Sequence, residues 1–383
     1  MRGPRLRAYA AGVLVLALLA AACGGDDGGD GGAVDTSDCD SVDSVSLQLQ
    51  WFVQAQFAGY FAADDQRFYA DQCLDVQIVE GGVDIVPQQQ LADGAVDFAI
   101  AWVPKALATR EAGADIVNIA QVFQRSGTLQ VSFAEDDITT VADFAGQTIG
   151  NWGFGNEYEI FAALAEEGLD PATDVELVQQ DFDMSGLLSG DIDAAEAMTY
   201  NEYAQVLEAM NPDTGELYQP DDFNVISYEE VGVGMLQDAI WADGARLDDA
   251  DYRDIAERFV TASLQGWAYC RDNVEECRDI VIARGSRLGA SHQLWQMNEI
   301  NKLIWPAENG VGFIDQGAWD RTVDIALNTP NLEGATVLTQ PADADAFTND
   351  IIEAAHANLE ELDVDITGED FLPIEVTLEE GGA

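Results

Sequence analysis

The chain has 383 residues, of which 48% are hydrophobic, and this length is sufficient for about two domains that each bury a core. Its 71 acidic residues against 16 basic ones give a formal net charge of −55 at pH 7. So negative a surface repels phosphate-rich polymers and anionic headgroups, and we therefore expect no nucleic-acid partner and no membrane binding through headgroups.

The first 22 residues have the composition of an export signal: three arginines, an apolar run and a group of small residues precede Cys23. The end of this stretch resembles a bacterial lipobox, in which the cysteine is lipidated, although Ala20 stands where that pattern prefers leucine. Residues 23–43 are mostly Gly and Asp and have little apolar surface to bury. We expect a signal peptide over 1–22, a lipidated Cys23 followed by a flexible linker over 23–43, and anchoring to the outer face of the cytoplasmic membrane.

From residue 44 to 123 the sequence alternates between stretches typical of strands and stretches typical of helices. Strands are predicted at 44–51, 74–79, 96–101 and 116–123, and helices at 57–69, 86–92 and 104–111. This alternation indicates βαβ units, which form a mostly parallel sheet covered by helices, with ligands at the carboxyl ends of the strands. We assign residues 44–130, together with a return segment over 237–362, to a first lobe.

A second βα series predicts a second lobe over residues 131–236. A strand predicted at 128–133 leads into this series, whose own strands are predicted at 147–150, 175–178, 194–198 and 223–227 and whose helices are predicted at 158–167, 184–188 and 203–209. The chain is expected to cross between the lobes twice, near 125–133 and 231–241. Beyond residue 248 the pattern is almost wholly helical, and residues 363–383 form an acidic tail that we expect to be partly ordered at best.

Four cysteines remain once Cys23 is assigned to lipid, an even number in an exported protein, where disulfides persist. Cys270 and Cys277 are seven residues apart, which in an unbroken helix is a rise of about 10.5 Å, so a disulfide between them requires a turn. Cys39 and Cys73 each precede a predicted strand, and neighbouring parallel strands begin at the same sheet edge, about 4.8 Å apart. We predict both disulfides; the alternative is buried free thiols.

The glycine-rich stretch 150–157 follows a predicted strand and precedes a predicted helix. Gly153 and Gly155 allow positive φ and a close approach of the backbone to a ligand, and the first N–H groups of the helix point at the same place. This arrangement is typical of a cradle for a phosphate or carboxylate. The alternative is a tight turn with an aromatic side chain packed beneath it, because short glycine motifs recur by chance.

Aromatic, amide and charged side chains follow the predicted strand ends of both lobes, where an α/β protein places its ligand. Aromatic walls with a few amides and carboxylates suit a flat heterocycle. For any single aromatic residue, packing in the core is the alternative. The predicted ligand-binding residues are Trp51, Gln54, Gln56, Tyr60, Trp102, Lys105, Trp152, Gly153, Phe154, Gly155, Asn156, Glu157, Asp181, Tyr200, Asn201 and Glu202.

Catalytic chemistry has little support in the sequence. The two histidines, His292 and His356, lie on predicted helices in the last third of the chain, so a Ser-His or Cys-His pair at the cleft is not expected. No His/Cys cluster has the spacing of metal ligands, and nothing motivates phosphate hydrolysis. We predict no catalytic residues, no metal site and no cofactor.

Four stretches carry a resemblance to a known family. They are WFVQAQFAGYF at 51–61, Gly81-Gly82, LADGAVD at 91–97 and LSGDIDA at 188–194. Together they resemble the extracytoplasmic solute-binding proteins of bacterial importers, most of all the branch related to the fungal thiamine-pyrimidine synthases and the bacterial pyrimidine-precursor binding proteins. The resemblance spans roughly residues 44–330. It implies the two-lobed α/β periplasmic-binding-protein type II fold, each lobe a mostly parallel sheet with flanking helices, and extra C-terminal helices.

In that family a Gly-x-Phe-Gly loop between the lobes holds the phosphate of a pyridoxal- or pyrimidine-type ligand, and Gly153-Phe154-Gly155 is similar. The fungal synthases consume one of their own histidines and carry a cysteine-rich motif, whereas here that position is Phe57 and no cysteine cluster exists. The resemblance therefore implies a monomer that captures a small heterocyclic thiamine-pyrimidine precursor, phosphorylated or not, and delivers it to the permease of an ABC importer. The alternatives are a pyrimidine synthase-like enzyme and a binding protein for riboflavin, sulfonate or taurine, or nitrate.

Overall fold

The computed structural model describes residues 39–382 of the chain. The expected signal peptide over 1–22, the lipidation of Cys23 and most of the predicted linker lie outside the described residues. None of the helices in the described range is both long enough and apolar enough to cross a membrane.

Two five-stranded mixed sheets organise the described part of the chain. Their strand orders are β2-β1-β3-β10-β4 and β7-β6-β8-β5-β9. We name the part of the protein built on the former the first lobe, and the part built on the latter the second lobe. The strands are β1 (Asp43–Gln48), β2 (Leu74–Val79), β3 (Phe98–Trp102), β4 (Ile116–Gln121), β5 (Thr128–Phe133), β6 (Thr148–Asn151), β7 (Glu176–Gln179), β8 (Ala194–Met198), β9 (Phe223–Ser227) and β10 (Asp238–Asp243).

Helices cover both sheets, as the βαβ pattern predicts. The helices are α1 (Ala58–Asp65), α2 (Phe68–Asp71), α3 (Pro87–Ala92), α4 (Val103–Glu111), α5 (Tyr158–Glu167), α6 (Ser185–Ser189), α7 (Glu202–Leu207), α8 (Gly244–Leu247), α9 (Ala250–Asp272), α10 (Val274–Ala283), α11 (Ala290–Ile304), α12 (Gln316–Asn328) and α13 (Asp350–Glu361). The first lobe also carries the long C-terminal helices, of which α9 packs on α1 and α13.

Each sheet is parallel except for one reversed strand, which is the first strand after the chain crosses from the other lobe. β10 runs antiparallel to β3 and β4, and β5 runs antiparallel to β8 and β9. The first residue of β5, Thr128, pairs with the last residue of β8, Met198, and the first residue of β10, Asp238, pairs with the last residue of β3, Trp102. Each crossing therefore enters its sheet at the edge where the parallel strands end. A strand that begins at this edge runs back along the sheet and is antiparallel to its neighbours.

The two crossings are residues 122–127 and 228–237. All of β5 pairs within the second sheet, so the boundary that we expected between residues 130 and 131 falls inside this strand. The chain was expected to return to the first lobe at residue 237, and β10 begins one residue later. Buried Gln237 joins the crossings: its Nε2 donates to Thr128 Oγ1 (2.8 Å) and its Oε1 accepts from the Gly127 N–H (2.9 Å). A hinge between the lobes would lie at this hydrogen-bonded pair.

Both predicted disulfides are confirmed. The Cα atoms of Cys270 and Cys277 are 5.4 Å apart because α9 ends and α10 begins at Asn273, which provides the required turn. Cys39 and Cys73 have their Cα atoms 5.8 Å apart and lie before β1 and β2, which pair in parallel. The shared sheet edge brings them together as the strand pattern predicts.

The acidic tail, which the sequence analysis expected to be partly ordered at best, lies along the helices of the body up to residue 382. The Ile374 N–H donates to Asn298 Oδ1 (2.9 Å), and the Gly289 N–H donates to the Gly382 carbonyl oxygen (2.6 Å). These bonds use main-chain groups of the tail, which every residue type supplies. The composition of the tail therefore contained no sign of them.

Candidate functional site

A cleft of about 930 Å³ lies between the two lobes. Its first-lobe side comes from the ends of β1 and β3, the loop over 82–86 and the starts of α3 and α4. Its second-lobe side comes from positions within 152–158 and 198–202 and from Phe182. The strand ends meet here, as the parallel pattern predicts. Most predicted ligand-binding residues line the cleft: Trp51, Gln54, Gln56, Trp102, Lys105, Trp152, Phe154, Gly155, Asn156, Tyr200, Asn201 and Glu202.

The other predicted residues do not line the cleft. Tyr60 is buried in the first-lobe core, with its ring edge-on to Trp267 at 5.6 Å between centroids. Gly153 and Glu157 belong to the glycine-rich loop but do not line the cavity, and Asp181 is exposed at the surface. For Tyr60 the structure supports the alternative of core packing.

The glycine-rich loop has the backbone geometry of an anion cradle, but its N–H groups are engaged within the chain. Gly153, Phe154 and Gly155 have φ values of 68°, 56° and 85°, three successive residues in the left-handed region. The Gly155 N–H donates to Glu157 Oε2 (2.8 Å) and the Gly153 N–H donates to Asn151 Oδ1 (3.0 Å). A phosphate at this loop would have to displace the Glu157 carboxylate.

Three rings form an aromatic wall, which we define as Trp51, Trp152 and Phe182. The centroids of Trp51, on the first lobe, and Phe182, on the second, are 5.3 Å apart. Phe182 and Trp152 are stacked at 6.0 Å with 25° between their planes. Phe182 was not among the predicted residues, whereas its neighbour Asp181 was; an aromatic residue three positions beyond the end of β7 was the available signal.

Buried Asp238 is the centre of the polar floor of the cleft. Its Oδ1 accepts from Gln50 Nε2 (2.5 Å) and from Trp102 Nε1 (2.8 Å), and its Oδ2 accepts from Gln56 Nε2 (3.0 Å). Gln54 Nε2 in turn donates to Gln56 Oε1 (2.6 Å). We name these five residues the floor network.

Burial raises the pKa of Asp238 from its usual 3.8 to about 7, against the stabilising effect of these donors. Neither Asp238 nor Gln50 was among the predicted residues. Asp238 lies 136 residues along the chain from Trp102 and 188 from Gln50, so sequence proximity gave no indication of the network. A carboxylate directly before the apolar run 239–242 was the signal that could have identified Asp238.

Lys105 connects the two sides of the cleft. Its Nζ donates to Asn156 Oδ1 (2.7 Å) on the second lobe and lies 4.9 Å from the centroid of the Trp102 ring. Among the described residues that line the cleft, Lys105 is the only Lys or Arg. Burial lowers its pKa from 10.5 to about 8, although Glu196 and Glu157 oppose this shift.

Two buried carboxylates flank the second-lobe side. Glu196 Oε2 accepts from the Trp152 N–H (2.7 Å), and Glu202 accepts from the Met198 N–H (2.9 Å) and from Asn201 Nδ2 (2.7 Å). Burial raises the pKa of both side chains. The surroundings of the cleft are therefore richer in acceptors and acids than in cations, which favours a ligand that donates hydrogen bonds over an anion.

His292 reaches closer to the cleft than its place on a C-terminal helix suggests. Its Nε2 is 3.0 Å from Asn201 Oδ1, and its Nδ1 is 3.0 Å from Glu208 Oε2. Both of these partners belong to the second lobe, whereas His292 lies on α11. The ring thus joins the lobes behind the cleft and faces no serine or cysteine nucleophile there. In the described range no group of His, Cys, Asp and Glu is arranged to hold a metal ion.

Comparison with known proteins gives relatives with named ligands. The chain is 24% identical over 247 residues to the formylaminopyrimidine-binding protein of Halalkalibacterium halodurans, covering 64% of this chain and 72% of that one. It is 25% identical over 365 residues to the riboflavin-binding protein RibY of Chloroflexus aurantiacus, covering 91% and 98%.

The fold and the family resemblance are both confirmed. The periplasmic sulfonate-binding protein SsuA from Methylobacillus flagellatus KT superimposes with a TM-score of 0.59 at 16% identity, covering 89% of this chain and 100% of that one. That likeness establishes the periplasmic-binding-protein fold. Residues 54–277, more than half of the chain, match the family described as NMT1/THI5 like. The protein belongs to the NMT1/THI5-like family.

Proposed function

We propose that the protein is an extracytoplasmic solute-binding protein that encloses a small flat heterocycle between its lobes and delivers it to the permease of an ABC importer. The observation that carries this proposal is the cleft itself, to which both lobes contribute an aromatic wall and amide-rich polar groups. Closure of two lobes on a ligand is the recurrent motion of such proteins. Stacking on Trp51 or Phe182 would hold the ring, and the floor would set its orientation.

The proposed ligand is an unphosphorylated thiamine-pyrimidine precursor of the formylaminopyrimidine kind. The named ligand of the Halalkalibacterium halodurans relative supports the chemical class. The engaged N–H group of Gly155 and the carboxylate of Glu157 support the absence of a phosphate, because a phosphate at this loop would meet like charge.

Riboflavin is the second candidate ligand. The Chloroflexus aurantiacus relative matches over 98% of its own length. The cleft volume of about 930 Å³ lies near the upper end of the range of about 300–1,000 Å³ for small-molecule pockets, which favours a ring system larger than one pyrimidine.

A synthase-like enzyme is the alternative from another class. The fungal synthases consume a histidine, and here the corresponding position is Phe57, which is fully buried in the first-lobe core. The disulfides occupy Cys39, Cys73, Cys270 and Cys277, so only Cys23 of the five cysteines stays outside these pairs. These observations support capture of the heterocycle without its synthesis.

Binding measurements distinguish these candidates. Purified protein lacking residues 1–23 would be titrated by calorimetry with formylaminopyrimidine, its phosphorylated analogue, riboflavin, pyridoxal phosphate, methanesulfonate and nitrate. We expect reversible 1:1 binding of the aminopyrimidine or of riboflavin, with no new product and no change in protein mass. Catalytic conversion of a ligand would reject the transport function, and tight binding of sulfonate or nitrate alone would reject the heterocycle.

We also propose that lipidated Cys23 anchors a monomer to the outer face of the cytoplasmic membrane. Replacing Cys23→Ser in the full chain should release the protein from the membrane fraction. Mass spectrometry of the parent should find a diacylglyceryl group on Cys23, and a membrane-bound Cys23→Ser variant would contradict the anchor.

A further inference from the structure

The floor network has a fixed direction of hydrogen bonding. Trp102 Nε1 can only donate, and an ionised carboxylate can only accept, so Asp238 requires an N–H from each partner. Gln50 and Gln56 satisfy this requirement with Nε2, at 2.5 and 3.0 Å. As long as Asp238 is ionised, its charge therefore determines the orientation of both side-chain amides.

The direction continues from Gln56 to Gln54. Because Gln56 gives its Nε2 to Asp238, its Oε1 can only accept, and it does so from Gln54 Nε2 at 2.6 Å. Gln54 is thereby left with its carbonyl oxygen and the second hydrogen of its Nε2, as is Gln50. Neither of these two oxygens accepts a hydrogen bond from another residue of the described chain, and both side chains line the cleft.

We propose that Asp238 is a positioning residue for ligand recognition, which turns the carbonyl oxygens of Gln50 and Gln54 toward the ligand. The floor then accepts hydrogen bonds, and the ligands it selects are heterocycles with N–H donors, such as aminopyrimidines. Acceptor-only anions, such as sulfonates and nitrate, cannot use these two carbonyl oxygens. This inference rests on the proposed function, since it assumes that the cleft between the lobes is the ligand site.

The place of Asp238 in the fold explains why one carboxylate controls three elements. It is the first residue of β10, directly after the second crossing, and its partners come from the end of β1, the end of β3 and the turn before α1. Burial raises the pKa of Asp238, whereas the floor donors and Lys105 lower it by stabilising the ionised form. The carboxylate in turn raises the pKa of the neighbouring hydroxyls of Tyr60 and Tyr200, which burial also raises.

A pair of ligands of equal shape tests the proposal. 4-Amino-2-methylpyrimidine and 2,4-dimethylpyrimidine differ in one donor group, and we expect the parent protein to bind the amino compound at least about tenfold more tightly. Asp238→Asn keeps the shape but allows either amide orientation, and it should lose most of this preference. Asp243→Asn, on the same strand but outside the cleft, is the matched control and should retain it.

A second variant and a second readout keep the test decisive. Gln50→Met removes one of the proposed acceptors at a half-buried position and should reduce the preference if Asp238→Asn fails to fold. NMR signals of the Gln50 and Gln56 side-chain amides report the positioning without any ligand. They should be sharp and slow to exchange in the parent, and shifted and broadened in Asp238→Asn.

The outcomes separate this inference from the proposed function. An unchanged preference in Asp238→Asn or in Gln50→Met would overturn the inference, as would a parent that prefers the dimethyl compound or binds methanesulfonate more tightly. If the parent binds neither pyrimidine, the proposed pyrimidine-binding function fails. The NMR signals of the Gln50 and Gln56 amides then test the positioning role of Asp238, and identical signals in the parent and in Asp238→Asn would overturn that role.

Discussion

Lys105 on the first lobe and Asn156 on the second are joined across the cleft by a hydrogen bond of 2.7 Å from Nζ to Oδ1. We expect Lys105→Met to weaken ligand binding by about tenfold, because it removes this bond from the closed arrangement and leaves buried Glu196 and Asp238 without their nearby cation. Calorimetry would measure the affinity, and solution scattering the radius of gyration of the ligand-free protein, which should increase.

The second lysine of the chain provides the control. Lys302 pairs with Glu299 on α11, half exposed and away from the cleft, so Lys302→Met removes the same charge without a bond across the cleft. Its affinity and radius should match those of the parent. Equal losses in the two variants would show that net charge matters and that the bond between Lys105 and Asn156 does not.

Glu157 should determine whether a phosphorylated ligand is accepted. Its carboxylate accepts the Gly155 N–H at 2.8 Å, in the place where a phosphate would bind. We expect the parent to bind an aminopyrimidine at least about tenfold better than its phosphate ester, and Glu157→Gln to narrow this ratio by removing the like charge. Competition binding of the two compounds would measure it. A parent that prefers the ester would restore the phosphate cradle that the sequence predicts.

Features that depend on local chain direction could be predicted from the sequence. Strand ends followed by helices place Trp51, Trp102 and Trp152 at the cleft, because parallel strands end at one sheet edge. The disulfide between Cys270 and Cys277 was predictable from the rise of a helix, which a turn at residue 273 interrupts.

Features that depend on contacts between distant segments could not be predicted in this way. Asp238 reaches its partners only because β10 returns reversed beside β3, and the pattern of β10 does not specify its direction. Tyr60 was misplaced because it lies one helical turn beyond Gln56, and only the packing on Trp267 shows that its side chain enters the core. The Gly155 N–H is engaged because the side-chain rotamer of Glu157 brings its carboxylate to this N–H. The spacing of residues along the sequence does not determine that rotamer.

The contact between α1 and α9 should tolerate no added methyl group. A Cβ on Gly59 would lie 2.3 Å from Trp267 Cδ2, and one on Gly266 would lie 2.0 Å from the Gly59 carbonyl oxygen. We expect Gly59→Ala to destabilise the protein by about 1–3 kcal/mol or more, measured by urea unfolding. Gly317→Ala in α12, which would meet only the Asp315 side chain at 3.2 Å, should change stability by less than about 0.5 kcal/mol. Similar stabilities of the two variants would contradict the close packing.

The two disulfides should stabilise the fold separately. Each cross-link restricts the unfolded chain, and the bond between Cys39 and Cys73 closes the longer loop, with a sequence separation of 34 against 7. On the chain-entropy estimate each contributes about 2–4 kcal/mol, the longer loop more. Differential scanning calorimetry of the double variants Cys39→Ala/Cys73→Ala and Cys270→Ala/Cys277→Ala should show a larger loss of Tm for the former. The reverse order would contradict this estimate.

The ligand-free protein should become more stable as the pH falls from 8 to 5. Burial raises the pKa of both Asp238 and Glu159 to about 7, so each carboxyl binds its proton more tightly in the folded than in the unfolded protein. Their contribution to stability is therefore complete below the ordinary carboxyl pKa of about 4 and is lost as the pH rises through 7. Lys105, whose pKa is lowered to about 8, changes its contribution only at the upper limit of this range.

The carboxylates with lowered pKa do not disturb this range. Hydrogen bonds and Arg271 lower the pKa of Asp365, and hydrogen bonds from Thr140 and Thr139 lower that of Asp143, so both lose their stabilising effect only below about pH 4. Protonation of other carboxylates at lower pH also reduces the repulsion within a chain of net charge −55, and this stabilises the folded protein as well. The effect of net charge must therefore be separated from the effect of Asp238 and Glu159.

Two isosteric replacements make that separation. Asp238→Asn with Glu159→Gln removes both titrating groups, and Gln retains a carbonyl oxygen for the Met235 N–H that Glu159 now accepts at 2.6 Å. Unfolding midpoints measured at constant ionic strength should rise between pH 8 and pH 5 in the parent and in the Asp243→Asn control, and should rise less in the double variant. Equal slopes in all three proteins would show that Asp238 and Glu159 do not contribute and would leave the effect to net charge and to Glu196 and Glu202, whose pKa values burial also raises. A midpoint that falls toward pH 5 would contradict the raised pKa values, because groups that bind protons more tightly in the folded state can only stabilise it as protons are added.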